Sequence, residues 1–239
     1  MIFHSTQRKM ELYNSLIIKM NNQIIKRVKT FNFLGIILNE HLTWTDHVAH
    51  LSQKITPVIG LLRRLKKQLP VSILKIIYSS LILSRLHYGN ILWGDSPGHL
   101  LKQQKKALRA IVDAGYNSHT TPIQKKMKLL NLTDIHKSKM LCYYKKHLEN
   151  KLPTYISSMF TQINLQDRPT PPRTKLFENT LRFRLHSYLH TAPTYLIQQV
   201  HNVSFSHLKY KIKRYFIENY SSMCTTVGCQ VCRMAYIQY

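Results

Sequence analysis

Acidic side chains are scarce in this sequence: ten Asp and Glu stand against 35 Lys and Arg, which gives a formal net charge of +25. The ten acids are also dispersed, since no two of them are adjacent or separated by a single residue. Enzymes that transfer nucleotides place two or three carboxylates around paired metal ions. We therefore assign no catalytic residue and no cofactor, and we expect the chain alone to be catalytically inactive.

Glycine, cysteine and long apolar runs are also in short supply. The seven glycines are scattered and form no phosphate-cradling loop, and four cysteines are too few for a disulfide framework in 239 residues. The most apolar run, Ile73 to Leu86, contains two basic residues and is too short to cross a membrane. The first ten residues lack the apolar core of a secretory signal. These absences predict an intracellular protein with reduced thiols, in the nucleus or the cytoplasm.

The excess of positive charge favours a polyanionic partner. RNA or DNA is the first candidate and an anionic membrane surface the second, while a simpler interpretation is that Lys-rich faces keep helices soluble. The hydrophobic fraction of 44% is that of an ordinary globular protein. We therefore predict a folded protein that binds nucleic acid and does not enter a membrane.

The first forty residues have the character of β-strands. The runs "SLIIKM" and "QIIKRV" are β-branched and are separated by Asn21-Asn22, a pair that tolerates positive φ in a turn. The run "FNFLGIIL" is interpreted as a third strand, which gives an antiparallel meander over residues 16–38. From Thr43 the apolar residues recur at helical spacing, and Thr43-x-x-Asp46 resembles a capping signal.

The remainder of the chain predicts a series of helices. Pro57 should kink or split the first, Pro70 ends it, and "VSILKIIYSSLILSRL" predicts a second helix that is apolar on most sides and central to the core. "HYGNILWGDSPG" is predicted to be a loop, Gly98 to Asp113 a third helix, and 122–130, 133–150 and "HLKYKIKRYFIENY" further helices. The predicted fold class is mainly α with a small N-terminal antiparallel β-meander, an α+β arrangement. The predicted segments are a β-meander at 1–42, a helical domain at 43–166, a Pro-rich linker at 167–175 and a basic helical tail at 176–239.

Two of the predicted helices carry cations opposite their apolar faces. At 100° per residue, one stripe lies on the first helix and the other on the third. Their members are Arg63, Arg64, Lys66 and Lys67 on the first helix, and Lys102, Lys105, Lys106 and Arg109 on the third. We predict that both stripes contact phosphates with little sequence preference, because Arg and Lys bind phosphate oxygens in any sequence context.

Histidine and cysteine offer weak metal candidates. His47 and His50 are three residues apart, but a surface or partly buried polar role is a better interpretation than metal binding. Cys224, Cys229 and Cys232 have spacing compatible with zinc, although no fourth ligand follows them. A partial zinc knuckle and incidental cysteines are both open, and we prefer the second interpretation, so no metal site is assigned.

The order of several stretches resembles a known family. The stretches are "IIKRVKTFNFLGIILNEHLTWTDHVAHLSQKI", "LLRRLKKQLP", "IYSSLILSRLHYGNILWG", "LKQQKKALRAI", "HTTPIQKKMKLLNLTDIHKSKM" and "FSHLKYKIKRYFIENY". Together they resemble the region downstream of the polymerase active site in reverse transcriptases of non-LTR (LINE-like) retrotransposons, of the jockey and CR1 type. The resemblance covers nearly the whole chain, with no single decisive motif.

The resemblance implies a role for each segment. Phe31, Phe33, Leu34 and Gly35 would belong to a primer grip, and the helices after Thr43 to a thumb-like bundle along the template–primer duplex. Plain strand packing is the alternative for Phe31 and Phe33. The intact family enzyme would use Mg²⁺ at the Asp-Asp pair of its palm. In the family the fingers and the palm precede this region, and neither is present before Met1.

Two departures from the family pattern suggest a decayed copy or a truncated gene model. Asn39 stands where the family often has Asp, and a Trp-Asn pair is missing around Ala192 to Leu196. The preferred function is a C-terminal fragment of an RNA-directed DNA polymerase that binds template–primer nucleic acid. The alternatives are a host-adopted nucleic-acid-binding or interaction module and, least favoured because acids are sparse, an enzyme of unrecognised type.

Overall fold

The computed structural model describes residues 1–4, 17–95, 98–160, 169–170, 173, 175–178 and 180–220. Helices dominate these ranges, and four short strands lie within the first forty residues. The predicted fold class, mainly α with a small antiparallel β-segment, is confirmed. Within the described ranges, every helix falls short of the combined length and apolarity that a membrane crossing requires.

The strands form two separate hairpins. Strands β1 (Lys19–Met20) and β2 (Gln23–Ile24) pair antiparallel, and both strands are exposed. The turn between them is Asn21-Asn22, with φ of 49° and 62°, so the predicted turn is confirmed. Asn is among the few residues that adopt this left-handed conformation at low cost.

The stretch predicted as a third strand is itself a complete hairpin. Strand β3 (Thr30–Phe33) pairs antiparallel with β4 (Ile36–Asn39), and Phe33 lies opposite Ile36 in the register. The chain reverses at Leu34-Gly35, where φ is 49° and 78°. Both values are positive, as a two-residue hairpin turn of type I′ requires, and Gly35 provides the second at no steric cost. The interpretation of residues 31–38 as one strand is therefore wrong.

Helix α1 (Thr45–Leu65) passes through Pro57 as a single helix of 21 residues. Of the two predicted outcomes at this proline, the split is therefore wrong, and the kink stays a prediction. A proline leaves the carbonyl four residues earlier without its helical donor, and here that residue, Gln53, is exposed, as is Pro57. Water can reach this side of the helix, so the lost hydrogen bond costs less than it would in the core.

The second predicted helix has three parts, and only one of its faces is buried. Helix α2 (Val71–Tyr78), a π-helical turn (Ser79–Leu83) and α3 (Ser84–His87) follow one another directly. The fully buried side chains recur at every fourth residue: Leu74, Tyr78, Ile82 and Leu86. Val71 and Ile76 on the other side are 47% and 62% exposed, so this helix is less central than predicted.

The stretch after it, which was predicted to be a loop, contains helix α4 (Asn90–Trp93). Trp93 of this helix is completely buried. The loop prediction is therefore wrong for residues 90–93.

The remaining helices largely coincide with the helical stretches predicted from the sequence. Their bounds are α5 (Gly98–Ile111), α6 (Thr121–Met127), α7 (Leu132–Leu148), α8 (Thr154–Ser158), α9 (Lys175–Glu178), α10 (Leu181–Thr191), α11 (Thr194–Asn202) and α12 (Phe205–Glu218). Each long helix coincides with a predicted one to within a few residues, apart from α10 and α11, which lie in the predicted helical tail.

Two clusters of buried apolar side chains form the core. The first is built by β4, α1, the segment from α2 to α6 and the beginning of α7. The second is built by the middle of α7 together with Phe160, α10, α11 and α12. The described residues from 181 to 220 therefore pack on α7. The predicted segment limits stay a prediction, and most of the predicted Pro-rich linker at 167–175 lies outside the described residues.

A single buried glutamine joins three elements in the first core. Gln104 of α5 is fully buried, and its Nε2 donates to the Tyr78 hydroxyl at 3.1 Å and to the Leu130 carbonyl at 3.0 Å. Its Oε1 accepts from the Leu132 amide at 2.8 Å, at the start of α7. Burial raises the pKa of Tyr78 to about 12, so this hydroxyl keeps its proton. The glutamine thereby satisfies polar groups that the surrounding apolar residues cannot.

We expect Gln104→Met to destabilise the protein strongly although it nearly preserves the side-chain volume. The change leaves the Leu132 amide, the Leu130 carbonyl and the Tyr78 hydroxyl without their partner, and each buried unsatisfied group costs about 1–3 kcal/mol. The contacts with Tyr78 and Leu132 are fully buried, so a loss of about 2–6 kcal/mol in the free energy of unfolding should appear in urea denaturation followed by circular dichroism. Gln198→Met, the same change at an exposed position of α11, is the matched control. Equal stability of the two variants would contradict a structural role for Gln104.

Candidate nucleic-acid interface

The β3–β4 hairpin is attached to the helices through β4. The side chain of Ile36 is buried and lies so close to Gly89 that a Cβ at residue 89 would be 2.4 Å from Ile36 Cδ1. The Ile37 amide donates to Nδ1 of His47 at 3.3 Å. His47 is only 1% exposed, which corrects the interpretation of this residue as surface or partly buried. Burial, followed by the charges of His50 and Lys54, lowers the pKa of His47, so the ring is neutral and able to accept this hydrogen bond.

The opposite strand and the turn of the hairpin are open to solvent. Phe31, Phe33 and Leu34 are 51%, 57% and 74% exposed. The Tyr88 hydroxyl donates to the Leu34 carbonyl at 2.5 Å, which holds the turn in place beside Gly35. The alternative interpretation, in which Phe31 and Phe33 pack in the interior as ordinary strand residues, is therefore wrong for the described residues. Their apolar surface is available to another molecule or to another part of a longer polypeptide.

Asn39 fixes the junction between the hairpin and α1. It is buried at the end of β4, and its Oδ1 accepts from the Thr43 amide at 2.8 Å. Its Nδ2 donates to Thr43 Oγ1 at 2.6 Å and to Asp46 Oδ2 at 2.8 Å. Trp44, and not Thr43, takes the N-cap position of α1. Asn39 uses its amide as both donor and acceptor, which an ionised Asp is unable to do because it only accepts.

The two predicted cationic stripes meet at the other end of α1. Helix α1 packs along α5, and a groove of about 270 Å³ opens where both helices end. Arg63 of α1 and Lys66, the C-cap residue of α1, line the groove from one side, and Lys106 and Arg109 line it from α5. Ala110, Asp113, Ala114 and Tyr116 complete the lining. Four of the eight predicted cations therefore share one concave surface.

Two of the four groove cations already have partners within the chain. The Lys66 ammonium pairs with the Asp113 carboxylate, and Arg109 Nε donates to the Ser118 carbonyl at 2.8 Å. Burial lowers the pKa of Arg109, although an Arg guanidinium stays protonated in proteins. Arg63 and Lys106 are exposed. Arg109 thus shapes the turn after α5 as well as lining the groove.

The other four predicted cations lie outside the groove lining. Arg64 on α1, Lys67 just after α1 and Lys102 on α5 are exposed, and Lys105 on α5 is half-buried. The weak metal candidates Cys224, Cys229 and Cys232 lie outside the described residues. The predicted site therefore has two described parts, the hairpin tip and the groove, at opposite ends of α1.

Sequence reasoning missed a cluster of His4, Glu40 and His41, whose ligand-type atoms all lie within 4.8 Å of one another. The Nε2 atoms of His4 and His41 are 3.6 Å and 3.8 Å from the Glu40 carboxylate, and Arg27 also bonds that carboxylate at 3.0 Å. Burial raises the pKa of Glu40, but the hydrogen bond and charge of Arg27, with the two histidines, outweigh burial and lower it. A metal ion here would be repelled by the positive charge of the Arg27 guanidinium, which already pairs with the Glu40 carboxylate. The geometry therefore fits an ion pair better than a metal site. Residues 36 positions apart give no sequence signal for such a cluster.

The chain is similar to part of a mobile-element polymerase. It is 27% identical over 124 residues to the RNA-directed DNA polymerase from mobile element jockey of Drosophila melanogaster. The match spans 49% of this chain and 14% of the polymerase. The chain matches no protein-family model and no solved structure. The similarity supports a relationship to RNA-directed DNA polymerases of mobile elements, and the activity of the whole polymerase is not thereby assigned to this chain.

We expect Asn39→Asp to loosen the junction between the hairpin and α1. The new carboxylate would lie beside the Asp46 carboxylate in place of a 2.8 Å hydrogen bond, at a cost of about 1–3 kcal/mol in the free energy of unfolding. Urea denaturation measures this loss, and Asn32→Asp on the exposed strand β3 is the control.

The double change Asn39→Asp/Asp46→Asn should recover most of the lost stability. It restores one donor amide and one acceptor carboxylate across the same contact, with the net charge of the natural sequence. A double variant as unstable as the single variant would show that the Asn39–Asp46 hydrogen bond does not hold this junction.

Proposed function

We propose that this chain is a C-terminal region of a mobile-element RNA-directed DNA polymerase, which binds template–primer nucleic acid and does not polymerise by itself. The observation that carries the proposal is the convergence of cations from α1 and α5 on one groove, in a chain similar to part of such a polymerase. In this proposal residues 43–166, with the helices from α1 to α8, form the thumb, and the hairpin tip at Phe33, Leu34 and Gly35 contacts the primer strand.

The length of α1 suits this role. A rise of 1.5 Å per residue places Arg63 about 24 Å along the helix from His47, beside which the hairpin is attached. That distance corresponds to about seven base pairs of a duplex at 3.4 Å per base pair. A duplex lying along α1 would therefore meet the hairpin at one end and the cationic groove at the other.

The chemistry of the groove suits a phosphate backbone better than a specific base. Arg63 and Arg109 have guanidinium groups that bridge two phosphate oxygens, and Lys66 and Lys106 act as point charges. Contacts to phosphates give affinity without sequence preference. The Asp113 carboxylate keeps Lys66 at the wall of the groove, so binding would exchange this ion pair for one with phosphate.

The dispersion of acidic residues supports an inactive chain. Within the described ranges the His4, Glu40 and His41 cluster is the sole group of three potential metal ligands, and it contains one carboxylate. Two-metal nucleotide transfer requires two or three carboxylates at one place. The Mg²⁺ ions and the carboxylates that hold them would come from the palm of the intact polymerase, which is the proposed partner of this region together with RNA and DNA.

We expect the variant Arg63→Glu/Lys102→Glu/Lys105→Glu/Lys106→Glu to lose at least tenfold in affinity for a labelled RNA–DNA duplex at about 0.1 M salt. This groove variant reverses Arg63 and Lys106, which line the groove, and Lys102 and Lys105, which belong to the same α5 stripe but lie outside the lining. Arg109 and Lys66 are left unchanged because they have structural partners at Ser118 and Asp113. For the natural sequence, the slope of log affinity against log salt should be roughly −3 to −4, since each phosphate contact contributes about 0.9. The variant should have a slope closer to zero.

The matched control reverses four exposed lysines elsewhere: Lys19, Lys26, Lys126 and Lys151. It has the same net charge as the groove variant and should keep most of the duplex affinity. Circular dichroism checks that both variants remain helical. Equal losses of duplex affinity in the two variants would show that the groove cations act only through the net charge of the protein. That result would overturn the proposed interface.

In primer extension on a poly(rA) template with Mg²⁺ or Mn²⁺, we expect only background incorporation by the purified chain. The reason is the dispersion of its ten acids, which leaves no carboxylate pair in the sequence to hold two metal ions. Robust extension that persists through successive purification steps would overturn this part of the proposal.

A further inference from the structure

A second surface with binding chemistry lies on α11 and α12, away from the groove. The exposed side of α12 carries His207, Tyr210, Lys211 and Arg214, at helical steps of three and four. The opposite side of the helix, with Leu208, Ile212 and Phe216, is buried in the second core. The four residues of the exposed side line an open cavity of about 580 Å³ together with Tyr195 of α11, Tyr215 and Glu218. We call this the tyrosine face.

Aromatic rings on the tyrosine face are presented to solvent instead of being packed away. Tyr195 and Tyr210 are 46% and 64% exposed. The rings of Tyr195 and Tyr215 are stacked, with centroids 5.6 Å apart and an interplanar angle of 22°. One side of the Tyr195 ring lies against the half-buried Tyr215, and the exposed part of the Tyr195 ring is available to another flat ring. Stacking on such a platform orders few side-chain bonds, which limits the entropic cost of binding.

Cations surround these rings and are held in position. Lys211 Nζ donates to Gln199 Oε1 at 2.7 Å, which ties α12 to α11 beside the cavity. Arg214 Nε donates to Glu218 Oε1 at 2.6 Å, and the two terminal guanidinium nitrogens remain further donors on the same group. Helix α12 has four cations, Lys209, Lys211, Lys213 and Arg214, against the single acid Glu218. This balance favours a polyanion over a neutral or basic protein surface.

Exposed aromatic faces interleaved with Lys and Arg are the chemistry of single-strand recognition. Bases in a duplex are stacked on one another, whereas an unpaired base can stack on an aromatic side chain while Lys and Arg contact the adjoining phosphates. We propose that the tyrosine face binds single-stranded nucleic acid, with bases stacked on Tyr195 and Tyr210 and phosphates at Lys211 and Arg214. This inference rests on the proposed function and deepens it: the groove takes the duplex and the tyrosine face takes an unpaired strand.

The test is fluorescence anisotropy of labelled 12-mer oligo(U) and oligo(dT), alongside a blunt RNA–DNA duplex. We expect Tyr195→Ala/Tyr210→Ala to lose at least tenfold in affinity for the single strands, because each stacked base contributes substantially to binding. Duplex affinity should change less than twofold. Comparing oligo(U) with oligo(dT) shows whether the unpaired strand is RNA or DNA.

Matched variants separate stacking from hydrogen bonding and from general aromatic exposure. Tyr195→Phe/Tyr210→Phe keeps both rings and should bind single strands as the natural sequence does. Tyr155→Ala removes a tyrosine that is 79% exposed elsewhere and should have no effect. The groove variant Arg63→Glu/Lys102→Glu/Lys105→Glu/Lys106→Glu should lose duplex affinity but keep most of its single-strand affinity.

Three outcomes would overturn the inference. Unchanged single-strand affinity in the alanine variant would leave the tyrosine face as a candidate protein-docking surface. Equal losses for single strands and duplex would mean that the two surfaces are not distinct. A loss in the phenylalanine variant as large as that in the alanine variant would exclude stacking. If the groove variant kept its duplex affinity while the alanine variant lost single-strand affinity, the proposed function would be overturned and single-strand binding at the tyrosine face would still stand.

Discussion

One face of α1 packs along α5, and both ends of the molecule's proposed interface depend on that contact. The buried face of α1 contains Leu51, Ile55, Ile59 and Leu62, and α5 contributes Leu100, Ala107, Leu108 and Ile111 to the same core. Burial of several Leu and Ile side chains at about 1.5–3 kcal/mol each makes this one of the most stabilising contacts in the chain. The hairpin is attached near the first turn of α1 and the groove opens at its last turn. A shift of α1 relative to α5 would therefore move both.

The few acidic residues form ion pairs with nearby cations and do not neutralise the high net charge. Self-repulsion at +25 opposes compaction, and ten acids cannot neutralise 35 basic residues. The described acids instead act as local partners at the ends of elements: Asp113 holds Lys66 after α5, Glu40 holds Arg27 after β4, and Glu218 holds Arg214 at the end of α12. Many of the other described cations are exposed, among them Arg63, Lys102 and Lys106, and at these positions a phosphate backbone would relieve repulsion that the protein does not relieve internally.

Sequence periodicity predicted most of the helical fold but not its tertiary juxtapositions. The step of three and four places the buried and charged faces of α1 and α5 correctly, because a helix has one period wherever it packs. The turn at Leu34-Gly35 was missed because apolar residues on both sides hide it, and Leu is an unusual residue at positive φ. The convergence of Arg63 and Lys106 depends on how two helices cross, and the His4, Glu40 and His41 cluster depends on a contact between distant segments. Neither leaves a local signal in the sequence.

Helix α7 links the two surfaces for which we propose binding. Its first turn bonds Gln104 in the first core, and its middle packs in the second core with α12. Tyr220, just after α12, donates its hydroxyl to Asp134 Oδ2 at 2.5 Å, and its carbonyl accepts from Lys125 of α6 at 2.9 Å. Burial raises the pKa of Asp134, and the hydrogen bond from Tyr220, the charge of Lys137 and the hydrogen bond from Asn131 offset only part of that rise. The tyrosine face is therefore tied to the body that forms the groove through α7 and these polar contacts. A fixed spacing between a duplex groove and a single-strand platform is what a protein needs if it is to hold a template where its paired and unpaired parts meet.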